Sequence, residues 1–190
     1  MADPYLPWLI FPPAVDLANT VRLTADGERD LLDTEEQLDA WIEAELGRIP
    51  DVEEAAGRLD EVHELRRLVR DLLHARATGE PAPDRSRRKL NSISAAAPLR
   101  IALGSGGDVV EEPASPDPYA RFAATVARSA IELGGGDEQR LSECGAPSCG
   151  MLFLRDHPRQ VWCTKECGNR ARVARHAARQ RRGRRGAARA

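Results

Sequence analysis

The chain has 190 residues, is 42% hydrophobic but only 4% aromatic, and carries a formal net charge of −2 with a mean hydropathy of −0.48. That length suffices for one sizeable domain and a small appendage, with a core of aliphatic helices rather than stacked rings. No apolar run approaches the ~20 residues that span a bilayer, and residues 1–13, proline-broken and without a basic start, do not read as a signal peptide; a cytoplasmic protein with no membrane partner is expected.

The small net charge conceals a division. Residues 141–190 hold twelve Lys and Arg against three acids, leaving sixteen against twenty-seven before them. A basic end on an acidic chain is first a nucleic-acid signal. A solubilising tail, or a clasp between the two halves, is the alternative.

In chain order, Pro12 and Pro13 open a short helix or turn holding Val15, Leu17 and Ala18. Asp16, Asn19 and Thr20 share one side of it, at i, i+3 and i+4. They read either as a local capping cluster or as one wall of a site. Thr34 is a helix N-cap with Gln37 at the capping-box position, and Leu38, Trp41, Ile42 and Leu46 form the apolar face. Gly47 and Pro50 end that helix. Asp51 is expected to cap a longer one reaching about Ala77, with Ala55, Leu59, Val62, Val69 and Leu73 as its stripe. Arg66 falls inside the stripe, where a guanidinium needs a partner: an acid such as Asp16, or a ligand. Were Asp16, Asn19, Thr20 and Arg66 to converge, they would make a small-molecule pocket.

Residues 79–83 read as a linker, and Asp84 or Ser86 as the cap of a helix through Ala97. Leu99, Ile101 and Leu103 alternate with polar or small residues before a Gly-Ser-Gly-Gly turn, which predicts a β-hairpin with Val109 and Val110. Asp117 followed by Pro118 starts another helix to Leu133, and three glycines at 134–136 place a joint after it.

All four cysteines lie in residues 144–167: Cys144, Cys149, Cys163 and Cys167. Two close pairs of this kind suit tetrahedral thiolate ligation of one zinc ion, and four protein ligands leave no open position, so the metal is structural and no enzyme is expected. Cytoplasmic thiols favour metal over disulfides. Residues 151–154 and Val161-Trp162 read as the arms of a hairpin turning around residues 156–159, and Cys163 and Cys167 as one face of a starting helix. Beyond the cysteines, Arg172, Arg175, Arg179 and Arg182 recur at spacings of three, four and three. They form a basic face with Val173, Ala174, Ala177 and Ala178 opposite, and with no acid after Glu166 to pair with. Such a face suits phosphate. The tail lacks aromatics for base stacking, which favours duplex DNA over RNA.

The run Cys167-Gly168-Asn169-Arg170, led by Trp162-Cys163 and followed by an arginine-rich helix, resembles the CGNR zinc finger. Val15-Asp16-Leu17-Ala18-Asn19-Thr20 is similar to the hydrophobic-Asp-(aromatic or Leu)-x-Asn-Thr opening of the helical ABATE domain found ahead of that finger. The two resemblances cover nearly the whole chain. They imply a bacterial stress-related transcription regulator whose helical domain senses a small-molecule effector or forms a homodimer, and whose finger binds nucleic acid. They also imply that Asn169 and Arg170 belong to the functional core, Asn169 bracing the zinc loop and Arg170 reaching a phosphate. The expected fold is mainly α with a small β-hairpin and a C-terminal treble-clef-like four-cysteine zinc finger. Residues 1–136 would form the helical domain, 137–182 the finger with its basic helix, and 183–190 a flexible basic tail. Lys165, Asn169, Arg170, Arg172, Arg175, Arg179 and Arg182 are the expected nucleic-acid contacts.

Overall fold

The computed structural model describes residues 11–136 and 140–187, with the side chains of 182–187 outside the description. Pro12 and Pro13 lead into α1 (Pro13–Ala18), whose missing first N–H groups cost nothing at a helix start, and residues 14–18 are all buried. α1 is the short central element. It packs on α3 (Leu59–Thr78) and α5 (Pro118–Gly135), and Ser129 Oγ of α5 accepts the Ala14 N–H at 3.3 Å. α4 (Asp84–Ala96) closes the bundle against α3 and α5. α2 (Glu35–Glu45) adds Trp41, fully buried and edge-on to Phe122 with ring centroids 6.5 Å apart.

Several elements follow the expectation from local chemistry. Thr34 and Gln37 form the reciprocal capping box of α2, and the Asp117 carboxylate accepts the Ala120 N–H at the start of α5. The hairpin of β3 (Leu99–Leu103) and β4 (Val109–Pro113) pairs Leu103 with Val109 across the glycine turn. α4 starts at Asp84 after Pro83, and Ser86, rather than capping it, is buried and donates to Asp71 at 2.6 Å.

Several expectations are corrected or extended. The long helix expected from Asp51 is broken: a single 3₁₀ turn (Val52–Ala55) ends at Ala56, and Gly57, in the left-handed region at φ 68°, separates it from α3. Asp51 caps nothing with its side chain. Its carboxylate instead receives Arg121 in two bonds of 2.9 and 2.5 Å. On α2, Leu46 is 53% exposed and the neighbouring Glu45 is fully buried, because the helix stops at Glu45 and Leu46 already has extended backbone. A second hairpin, β1 (Val21–Thr24) with β2 (Gly27–Asp30), follows α1. Its turn is closed by Gly27, whose φ of 125° suits a residue without Cβ. Finally, the third hairpin joins β5 (Leu141–Glu143) to β6 (Leu152–Leu154). Residues 152–154 therefore pair backwards across the first cysteine pair and not forwards with Val161-Trp162.

That last hairpin is part of the main core. Leu141 and Leu152 are 5% and 1% exposed and cluster with Leu17, Leu68 and Leu73 of the helical bundle. Arg140 and Leu141 lie beyond the glycine joint, yet β5 packs on α3. α6 (Lys165–Ala187) closes the chain and continues past residue 182, where a flexible arm was expected; residues 188–190 lie outside the described residues.

Candidate metal centre and nucleic-acid interface

The first cysteine pair forms the turn of the β5–β6 hairpin. The Cys144 N–H bonds to Met151 O at 2.8 Å and closes it, while Ser148 and Gly150 take left-handed backbone at φ 55° and 61°. The second pair straddles the start of α6. Cys163 precedes the helix, which begins at Lys165 rather than at the cysteine. Thr164 caps it by accepting the Cys167 N–H at 3.2 Å. A knuckle and a helix start facing each other are the two halves of a treble clef.

The four sulfur atoms lie within 4.8 Å of one another. Cys149, Cys163 and Cys167 form a triangle with edges of 3.6, 3.5 and 3.7 Å. A tetrahedral zinc with Zn–S bonds of about 2.3 Å needs sulfurs about 3.8 Å apart, so the donor set fits that ion. Its chemistry fits as well. Four sulfurs this close cannot all be thiolates unless a cation sits among them. Hydrogen bonds from the other thiols, Cys163 first, draw Cys149 down to about 5, whereas hydrogen bonding to Cys149, followed by burial, pushes Cys163 up.

The outer contacts come from the Cys-Gly-Asn-Arg run. Arg170 Nη2 donates to Cys167 Sγ at 3.2 Å, and the Cys163 N–H donates to Cys144 Sγ at 3.4 Å. Both would offset thiolate charge around a metal. Gly168 is buried against Trp162: a Cβ there would lie 3.0 Å from the indole Cδ1. Asn169 Oδ1 accepts from the Arg172 guanidinium, which also donates to Gly168 O at 3.4 Å. Arg175 lies 5.9 Å from the Trp162 ring centroid. Beside these residues runs an open groove of about 800 Å³, walled by Lys165, Asn169, Arg172 and Arg175 of α6 and by His157 and Trp162 of the preceding loop. From Arg172 to Arg181 every residue of α6 is exposed. Arg179 shares the groove side of the helix. The side chain of Arg182 lies outside the described residues.

The four polar residues expected to form a pocket, Asp16, Asn19, Thr20 and Arg66, are buried, and protein engages them in three separate places. Arg66 and Thr20 do meet, at 3.0 Å, but the acid that neutralises Arg66 is Asp30 of β2, gripped at 2.6 and 2.5 Å, and not Asp16. The Arg66 bonds hold the Asp30 carboxyl below its ordinary range against the cost of partial burial. Asp16 instead shares Arg48 with Glu45, at 2.8 and 2.6 Å. Burial pushes Asp16 up to about 6, and burial with the Asp16 charge pushes Glu45 up to about 7. Asn19 turns to the finger: its amide donates to Leu152 O and accepts from Leu152 N–H, both at 2.9 Å. Sequence reasoning missed Asp30, Glu45 and Arg48, since nothing local marks which distant charge a buried residue will meet. The Asp26-Gly27 pair was the available sign of the hairpin that carries Asp30.

A helical bundle whose core takes in the β5–β6 hairpin, beside a cluster of four cysteines and an exposed basic helix, defines a helical zinc-finger protein. The family model described as "Putative stress-induced transcription regulator" (ABATE) matches residues 12–137, and that of the CGNR zinc finger matches residues 140–180. The chain belongs to the ABATE family and carries a CGNR zinc finger. No curated protein matches it. Among the described residues no helix is long and apolar enough to cross a membrane.

Proposed function

We propose that this protein is a DNA-binding transcription regulator in which one structural zinc ion holds the finger and α6 contacts the nucleic acid. The observation that carries this reading is the exposure of α6. Lys165, Arg170, Arg172, Arg175, Arg179 and Arg181 are all solvent-accessible, and the helix has no acid after Glu166. Among the described residues, Arg172–Arg181 is not folded back on the acidic bundle, which favours an external polyanion over an internal clasp. The metal does no chemistry in this scheme, because four cysteines complete its coordination, and the protein is not an enzyme. The acidic helical domain serves sensing or association, and the cytoplasm is the compartment where such a partner and reduced thiols coexist.

The test is fluorescence anisotropy of a labelled mixed-sequence duplex with zinc-loaded protein across a salt series. Four to six phosphate contacts predict that log K falls with log salt with a slope of about −4 to −5. Cys163→Ser is expected to abolish binding, and elemental analysis to find one zinc per chain. Salt-independent binding, or none, refutes the reading; a structured RNA that outcompetes duplex would move it to RNA.

A further inference from the structure

α6 divides into four strips around its circumference. At about 100° per residue, Cys167, Ala171, Ala174 and Ala178 share the back, and the first two are buried against the finger at 6% and 4% exposure. Arg172, Arg175 and Arg179 occupy one flank, and Arg181 the other, together with the exposed Arg170, one of whose nitrogens also donates to Cys167 Sγ. Among the residues whose side chains are described, the front carries no arginine. It holds Asn169, Val173, His176 and Gln180, at steps of four, three and four, and all are exposed; the Asn169 Oδ1 accepts from Arg172, which leaves its NH2 group to face a base.

A single basic face would suit any polyanionic surface. Cations on both flanks with a neutral strip between them suit a cleft that has phosphates on both walls and something other than phosphate on its floor. The major groove of B-form DNA has this form: it is about 12 Å wide and admits a helix about 10–12 Å across. The front residues match what lies on that floor. Asn and Gln pair with adenine N6 and N7, His bonds acceptor edges, and Val meets the thymine methyl. Asn169 to Gln180 spans about 16 Å at a rise of 1.5 Å per residue, which covers roughly five base pairs at 3.4 Å each. A-form RNA offers a major groove too narrow for a helix.

Resting on the nucleic-acid reading above, we propose that Asn169, Val173, His176 and Gln180 read base edges in the major groove and select a short sequence, while the flanking arginines hold the two backbones. The experiment is selection of bound sequences from a random duplex pool with the zinc-loaded full chain, beside a His176→Ala/Gln180→Ala variant and an Arg179→Ala variant. The wild type should enrich a motif of about four to five base pairs at least tenfold. The front variant should lose preference at part of that motif while binding the unselected pool within about threefold of wild type. The Arg179→Ala variant should keep the motif and weaken evenly for all sequences. Salt-dependent duplex binding with no enriched motif, or the same motif from the front variant, overturns the base-reading strip but leaves the proposed function standing. Absence of any duplex binding removes both, and preferential capture of structured RNA removes the DNA-groove assignment.

Discussion

In β6, both backbone groups of Leu152 turn to the carboxamide of Asn19, which thereby takes the place of a neighbouring strand at a position 1% exposed to solvent. Truncation would leave a buried N–H and a buried C=O without partners, each costing about 1–3 kcal/mol. Asn19→Ala is therefore expected to lower unfolding free energy by about 2–4 kcal/mol in denaturant titration; a loss below about 0.5 kcal/mol would mean that water or a shifted strand replaces the amide. A second residue-scale consequence concerns Glu45. It and Asp16 are both buried, one arginine serves both, and Glu45 Oε1 has no hydrogen-bond partner among the described residues. Burial raises Glu45 to about 7 and Asp16 to about 6. Because these folded-state values exceed the unfolded ones of about 4, the native state binds more protons. This contribution to stability is full below about pH 4 and is lost as pH rises through 6 to 7. Glu45→Gln should then be more stable than wild type at pH 8, by about 1–2 kcal/mol, with the gap closing below about pH 5. A pH-independent difference would show that Arg48 already satisfies both carboxylates.

Among the elements, α6 stands apart because every residue from Arg172 to Arg181 is exposed, and its arginines repeat at helical neighbour spacings. Like-charge pairs at i,i+3 and i,i+4 each cost a few tenths of a kcal/mol, and an exposed helix has little tertiary packing to offset them. Arg179→Glu relieves one such clash by facing Arg175, so free-protein helicity in far-UV circular dichroism should rise. Duplex affinity should fall about tenfold, with a salt slope shallower by about one to two. Helicity and affinity falling together would point to a misfolded finger instead. The remaining elements divide by how local their causes are. The capping box of α2, the proline start of α5 and the β3–β4 turn were legible in the sequence because a few neighbouring residues decide them. So were the cysteine ligands, whose spacing carries the geometry. The break at Gly57 was hidden beneath an apolar stripe that runs on through it. The β1–β2 hairpin was obscured because β1 alternates over only four residues, Val-Arg-Leu-Thr, and β2, Gly-Glu-Arg-Asp, has no apolar residue at all. The partner strand of Leu152–Leu154 was out of reach because the β5–β6 register depends on Leu141 and Leu152 finding the bundle core.

Across the whole molecule, the cysteine knuckle is both metal ligand and core element: its two ends continue into strands whose Leu141 and Leu152 lie among the bundle's own side chains. Strands of three residues do not pair stably by themselves. They are held by burial against α3, by the Asn19 clasp, and by whatever fixes the turn between Cys144 and Cys149. A metal binding the native knuckle stabilises everything cooperative with it, by mass action. Chelation should accordingly do more than loosen the C-terminus. Freed of the cation, the sulfurs compete for protons at 3.5–3.7 Å, the knuckle widens, and Leu141 and Leu152 withdraw from the core. The expected calorimetric result is one transition in both states, displaced downwards by about 5–10 °C on metal removal, the shift corresponding to about 3 kcal/mol for a chain of this size. Cys163→Ser should reproduce that shift without chelator. A trace in which the main transition stays in place and only a small separate one disappears would show that the bundle holds the hairpin unaided, and that the metal serves the aim of α6 alone.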